Sequence, residues 1–243
     1  MSESPPTALI LAGGLGTRLR SVVADRPKVL APVHGRPFLA YLLDQLADAG
    51  IRHAVLCTGF RGDLVRAEFG LRYRTLRLDY SQEHAPLGTG GALRQGVSLA
   101  RSQTVLAMNG DSYCDADLQA FQARHAARKE VAGLLLTEVS DTSRYGRVQL
   151  DPEGRIQRFV EKGVEGGRGW INAGLYLLPV KLLETVPLEE PTSIERDLLP
   201  AWIPQGLWGF PCHGKFLDIG TPETFAATEA FFPPPAEDNR RSA

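Results

Sequence analysis

Cysteine is scarce, with three in 243 residues, and Cys57, Cys114 and Cys212 stand far apart, outside any CxxC spacing. So dispersed and odd a set argues against a disulfide framework and a structural zinc site, and makes a reducing cytoplasm the natural setting. Long apolar runs are also missing. None approaches the ~20 residues that a membrane span needs, and residues 1–7 hold no basic stretch leading into an apolar one, so no membrane partner is expected. Charge of one sign is not in excess: 27 Lys and Arg face 28 Asp and Glu, for a formal net charge of -1. Nothing in that balance suggests a surface built to neutralise a nucleic acid, so any phosphate binding has to be local. The five histidines, His34, His53, His84, His125 and His213, form no HxH or HxxxH pair, and no GxSxG elbow occurs, which disfavours a zinc enzyme or a hydrolase.

What is present is a regular alternation of short apolar runs with amphipathic segments, the pattern of an α/β sheet built from β-α units. Residues 8–12, 54–58, 76–80 and 105–108 read as strands. Between them, Leu39, Leu42, Leu43 and Leu46 fall on one face of a helix over 38–49, with Pro37 where a first turn tolerates it. Weaker helical patterns cover 89–100 and 117–128. In the second half, residues 148–150 and 156–160 flank Asp151-Pro152-Glu153-Gly154, a turn composition that makes a hairpin. A strand over 171–178, helices over 180–186 and 194–202, and strands over 207–210 and 215–217 follow. The expected fold is a Rossmann-like mixed, mostly parallel sheet flanked by helices, with antiparallel additions in the second half, in one domain over 1–232. From Pro233-Pro234-Pro235 to Ala243 the composition cannot bury enough apolar area to offset its ordering entropy, so residues 233–243 are expected to be a disordered tail.

The most informative segment is Leu11-Ala12-Gly13-Gly14-Leu15-Gly16-Thr17-Arg18-Leu19-Arg20, directly after the first strand. Its glycines let backbone N–H groups converge on a phosphate, and a following helix would add its positive end. Leucine at 19 breaks a dinucleotide-binding GxGxxG, and no GK[ST] ending makes it a P-loop. Arg26-Pro27-Lys28 follows. Lys28 can place a compact positive charge on a phosphate, and Arg18 can grip phosphate oxygens with its planar fork. Taken together, the run from Gly13 to Arg18 and the Pro27-Lys28 pair resemble the signature of the sugar-1-phosphate nucleotidyltransferases.

Further elements of that family appear in order along the chain. Pro86-Leu87-Gly88-Thr89-Gly90-Gly91 puts glycines at a strand-to-helix turn. The resemblance implies that Gly88 and Thr89 lie against the nucleotide base and that Glu83, with Gln82 as a weaker neighbour, reads its edge. Asn109-Gly110-Asp111 ends the fourth strand at the carboxyl edge of the sheet, where open α/β folds bind ligands. Asp218 lies in the apolar run 216–219, where a carboxylate is costly unless paired. As structural alternatives, Asp111 could cap the next helix and Asp218 could sit in a salt bridge. The resemblance implies instead that both hold Mg2+, a hard cation suited to carboxylates and phosphates. It further implies that Tyr145, Gly146, Glu161, Lys162, Asn172 and Gly174 meet the sugar and its phosphate. The fold it implies is glycosyltransferase-A-like.

The implied partners are a nucleoside triphosphate and a sugar 1-phosphate, whose oxygen attacks the α-phosphorus in line and expels pyrophosphate. Asp111 and Asp218 with magnesium, Lys28, Lys162 and Arg18 would neutralise and align the anions. The match is nearest to short members that activate a heptose or mannose with GTP; uridylyl transfer is the alternative, because Glu83 alone does not exclude UTP. No hexapeptide-repeat domain is expected. From other classes, a noncatalytic sugar-nucleotide sensor has less need of the metal pair, and an oxidoreductase is weakened by the broken GxGxxG. The sequence leaves the stereochemistry of the sugar, homo-oligomer formation and feedback control open.

Overall fold

The computed structural model describes residues 5–14, 16, 19, 25–128, 132–188 and 190–234. The chain runs β1 (Thr7–Ala12), β2 (Pro32–Val33), β3 (Arg36–Pro37), α1 (Phe38–Asp48), β4 (His53–Thr58), α2 (Gly62–Phe69), β5 (Arg72–Tyr73), β6 (Leu76–Gln82), α3 (Gly88–Gly96), β7 (Thr104–Asn109), β8 (Ser112–Cys114) and α4 (Leu118–Arg128). It continues with β9 (Ala132–Val139), β10 (Arg147–Leu150), β11 (Ile156–Val160), β12 (Gly169–Pro179), α5 (Val180–Glu184), α6 (Leu199–Trp202), β13 (Leu207–Cys212), β14 (Phe216–Asp218), α7 (Pro222–Ala226) and α8 (Thr228–Phe231).

Among the described residues the main sheet has eight strands, in the order β13-β9-β12-β7-β1-β4-β6-β5. Strands β7, β1, β4 and β6 run parallel. β12 is antiparallel to both of its neighbours, and β13 then pairs parallel with β9. This is the mixed, mostly parallel sheet expected. The sequence Thr-Ala-Leu-Ile-Leu-Ala of β1 is apolar throughout because both faces are covered. Ala8 and Ile10 enter the core under Leu39, Leu42, Leu43 and Leu46 of α1, whereas Leu9 enters the opposite core with Leu93 of α3 and Val97.

The early strands and the hairpin β10–β11 fall where the apolar runs placed them. Strand β9 is an addition to that reading. Its Ala-Gly-Leu-Leu-Leu-Thr-Glu-Val run has no alternation, because its first six residues are buried on both faces, and such a run is ambiguous between strand and helix. Helix α2 is a further addition. The helix expected over 194–202 forms in two parts: a π-helical turn, Ile194–Leu198, passes into α6, which has a proline in its first turn. Pro200 lacks the N–H that an α-helix would use there, and the Leu199 N–H reaches Ile194 O instead. Far apart in sequence, Cys114 and Cys212 become neighbours, and the nearby Cys114 thiol, helped by the Gly214 N–H, draws Cys212 below its ordinary value. At the end of the described chain, Phe232 packs against Phe38, Tyr41 and Tyr113. Residues 235–243, most of the expected tail, lie outside the described residues.

Candidate active site

A cavity of about 800 Å3 opens where β1, β6 and β7 end, lined by Gly13, Gly14, Gly16, Lys28, Glu83, Gly88, Thr89, Asn109, Asp111 and Glu195 among others. A second cavity of about 590 Å3, between Arg36, Tyr41 and Phe232, holds none of these groups. The glycine segment leaves β1 along the cavity wall, and the buried Leu19 anchors its far side. Thr17 and Arg18 lie outside the described residues. Gly16 lies close to Lys28, so close that a Cβ would meet the lysine's own Cβ at 3.3 Å.

Lys28 opens a short 3-10 turn after Pro27, and Val29 and Leu30 of that turn are buried. The lysine side chain is 11% exposed and its Nζ donates to Asp111 Oδ2 at 2.7 Å. The two groups, read separately from sequence as a phosphate cation and a metal ligand, are therefore directly paired. Asp218, which is not among the cavity-lining residues, is brought alongside the Asp111 segment by a two-stranded ribbon in which β14 runs antiparallel to β8 and Asp218 faces Ser112. The Ile219 N–H donates to Asp111 O at 2.9 Å and locks the two carboxylate-bearing segments together. The Asp218 carboxylate is oriented by two donors, the Tyr145 hydroxyl at 2.9 Å on Oδ2 and the Gly220 N–H at 2.8 Å on Oδ1. Burial, with the Asp218 charge adding to it, pushes the Tyr145 phenol up to about 12, so it stays a donor.

On the other side of the glycine segment, Glu83 fastens its own loop. Oε2 accepts the Leu87 N–H at 3.1 Å, and a Cβ on Gly13 would stand 2.8 Å from Oε1. Burial raises this carboxyl above its ordinary value. The glycines after it have a role that the sequence did not disclose. Gly88 is at φ +70, and a Cβ there would lie 2.5 Å from Thr192 O. The Gly90 N–H donates to that same carbonyl at 2.7 Å, and the Thr192 N–H donates to Leu87 O at 2.8 Å. The bare face of the turn is thus covered by the chain's own 192–195 segment.

Of the residues expected on the sugar side, Tyr145 reaches the site through Asp218. Gly146 adjoins the end of β11, with Arg147 opposite Val160. Glu161 and Lys162, the next two residues, are exposed and are not among the cavity-lining residues. Asn172 and Gly174 sit at a register shift in β12. The Asn172 side chain accepts the Gly174 N–H at 2.8 Å and donates to the buried Tyr176 hydroxyl at 2.9 Å. Gly174, at φ +74, must be glycine: a Cβ would stand 2.8 Å from Asn109 Nδ2 and 2.9 Å from Ser112 Oγ. Ser112 Oγ and Asn109 Oδ1, both beside Asp111 in sequence, are buried without a hydrogen-bond partner among the described residues.

A loop of glycines, a lysine and two carboxylates at the carboxyl edge of a parallel sheet can hold phosphates and a hard cation between them. The model of the nucleotidyl transferase family matches residues 7–233. The chain belongs to the nucleotidyl transferase family. Within the family it is 36% identical over 219 residues to D-glycero-alpha-D-manno-heptose 1-phosphate guanylyltransferase of Aneurinibacillus thermoaerophilus, covering 90% of this chain and 94% of that one. It is 35% identical over 234 residues to mannose-1-phosphate guanylyltransferase of Mycobacterium tuberculosis, covering 95% of this chain and 65% of the longer relative. Among solved structures it resembles HddC from Yersinia pseudotuberculosis, with a TM-score of 0.83 and 34% identity over 94% of this chain and 100% of that one. A structure of HddC with GMP-PN has the same TM-score.

Glu195 is a cavity residue to which the sequence gave no role beyond a place in the helix expected over 194–202, and the signal that could have raised it is a carboxylate two residues after a Thr-Ser pair, just before an apolar helix. No helix among the described residues is long and apolar enough to cross a membrane.

Proposed function

We propose that this protein transfers a guanylyl group from GTP to a sugar 1-phosphate of manno configuration, D-glycero-α-D-manno-heptose 1-phosphate foremost, and releases pyrophosphate. The observation that carries the reading is the Lys28–Asp111 pair, set between the glycine segment and the ribbon that delivers Asp218. The relatives' activities and the nucleotide held by HddC support the choice of GTP.

The acceptor phosphate has a second pKa of about 6, so it is ionised near neutrality and its attack needs no general base. The obstacle is repulsion between anions. Lys28 is held nearly buried at the end of the glycine segment, where its charge acts in a low-dielectric setting on the phosphates. Arg18 and the loop amides would grip the departing pyrophosphate, and Lys162 the sugar phosphate. The donor set fits a magnesium ion: Asp111 and Asp218 offer oxygens on adjoining segments, and the described residues hold no cluster of three metal-ligating side chains. That suits a cation that draws its remaining ligands from phosphates and water. When bound, magnesium would supply charge neutralisation and alignment of the phosphates. On the base side, Glu83 Oε1 is the acceptor for guanine N1–H or N2–H, because Oε2 is taken by Leu87.

The test measures pyrophosphate release with four nucleoside triphosphates crossed against several sugar 1-phosphates. GTP with the manno-configured heptose 1-phosphate is expected to be fastest, and Glu83→Gln is expected to lose roughly 1 to 3 kcal/mol of GTP preference. Faster turnover with UTP at equal concentration would overturn the guanylyl assignment and leave nucleotidyl transfer standing.

A further inference from the structure

Glu195 is the third carboxylate lining the main cavity, with Glu83 and Asp111. Glu83 follows β6, the glycine segment follows β1 and Asp111 follows β7, so sheet neighbours run from Glu83 towards β12 through the phosphate loop and the Lys28–Asp111 pair. Glu195 reaches this cavity beside Thr89, and its charge, like that of Asp111, bears on the buried Tyr176 phenol of β12.

Its mounting is built. Glu195 lies on the π-helical turn, a local departure from α-helix that often marks functional positions. Oε2 accepts the Thr89 hydroxyl at 3.1 Å and the Ser193 hydroxyl at 3.2 Å. Thr89 in turn accepts the Ile194 N–H at 2.8 Å, and Thr192 is bonded to Leu87 and Gly90, so the turn is bolted to the start of α3. Oε1 accepts from no group among the described residues.

We propose that Glu195 recognises the acceptor sugar, accepting hydrogen bonds from its ring hydroxyls through Oε1. The inference rests on the transfer reaction proposed above: with the nucleotide base at Glu83 and the phosphates at Lys28, the sugar extends towards β12, the strand whose Tyr176 feels the Glu195 charge. A preoriented carboxylate is a strong acceptor for hydroxyls and rejects an analogue that lacks one.

The test is steady-state kinetics of wild type and Glu195→Gln with GTP, the sugar 1-phosphate and its monodeoxy analogues. Gln keeps an acceptor for Thr89 and Ser193 but turns an amide donor to the cavity. The KM for sugar 1-phosphate is expected to rise at least roughly 10-fold in the variant, with the KM for GTP and the unfolding temperature unchanged. At least one deoxy analogue that is poor for wild type should be no worse than the parent sugar for the variant. As a second variant, Ser193→Ala removes one of the two donors to Oε2, together with the acceptor that caps the turn at the Arg196 N–H, and should raise the same KM by less. Product binding gives a readout without turnover, in which Glu195→Gln weakens the nucleotide sugar and not the free nucleoside diphosphate. An unchanged sugar KM, an equal rise in the GTP KM, or deoxy penalties identical to wild type would each overturn the proposal while transfer stands. Wild type that releases no pyrophosphate with any pair would overturn the transfer reading, and this proposal with it.

Discussion

Lys28 and Asp111 reach each other at 2.7 Å, yet the lysine is 11% exposed and the aspartate 45%. The pair is asymmetric: removing the aspartate's charge strands a nearly buried cation, while removing the lysine leaves a carboxylate that water can reach. We expect Asp111→Asn to lose turnover by orders of magnitude and, because it strands the nearly buried Lys28 cation, to lower the unfolding temperature as well. Wild-type magnesium-dependent turnover in that variant would show that Asp111 has been given the wrong task. Lys28→Ala should lower kcat at saturating GTP more than it weakens GTP binding; a change confined to the dissociation constant would contradict the role given to this lysine. Both residues stood out in the sequence, one from its place after Pro27 and one from its place at a strand end, but their contact did not, since side-chain pairing across 83 positions leaves no local pattern. The cysteines carry the same lesson in the other direction. Cys212, partly exposed and drawn below its ordinary value by the neighbouring Cys114, should be alkylated by iodoacetamide at pH 7 well before Cys57, which is buried and pushed up to about 12. Peptide mapping that finds Cys57 labelled first would refute this.

Strand β12 shows how an element carries function through its irregularity. Its register against β9 shifts between Asn172 and Tyr176, and Gly174 within that shift leaves the space that Asn109 and Ser112 fill. Gly174→Ala is expected to cost roughly 1 to 3 kcal/mol in stability from the positive φ alone, and to displace Asn109 beside Asp111 as well. A thermal melt and an activity assay check it: wild-type values in both would show that the glycine is incidental. The Asn-x-Gly motif could be picked out of the sequence, but its reason, a close approach by two side chains of another segment, could not. Strand β9 was missed for the opposite reason. A run buried on both faces has no period to detect, whereas α1, with one apolar stripe, did. The glycines 88, 90 and 91 stood out as a strand-to-helix turn expected against the nucleotide base; what lies against them in this structure is Thr192.

At the scale of the molecule, burial of ionisable groups ties stability to pH. His125 is buried, its Nε2 has no partner among the described residues, and burial lowers its pKa below the ordinary 6.5. His53 is lowered too, by burial first, with its hydrogen bond to the Asp79 carboxylate opposing. The folded chain therefore binds fewer protons at these sites than the unfolded chain, so stability rises with pH there. The contribution is complete above about 6.5 and is lost as pH falls through the lowered folded values. Urea midpoints should drop from pH 7.5 to pH 5.5, and His125→Gln should reduce the drop; a higher midpoint at the acid end would refute the sign. The order of the chain adds one more consequence. Asp111 lies near its middle, but the partner carboxylate arrives only with β14, whose ribbon with β8 is closed by the Ile219 N–H. During synthesis, which proceeds from the N-terminus, the parallel strands β1, β4, β6 and β7 are available to fold long before residue 218 emerges. A ribosome-bound chain would thus own its parallel strands and a glycine segment while its carboxylate pair did not yet exist, and, with the role proposed for Asp218, would transfer nothing until residue 218 had emerged.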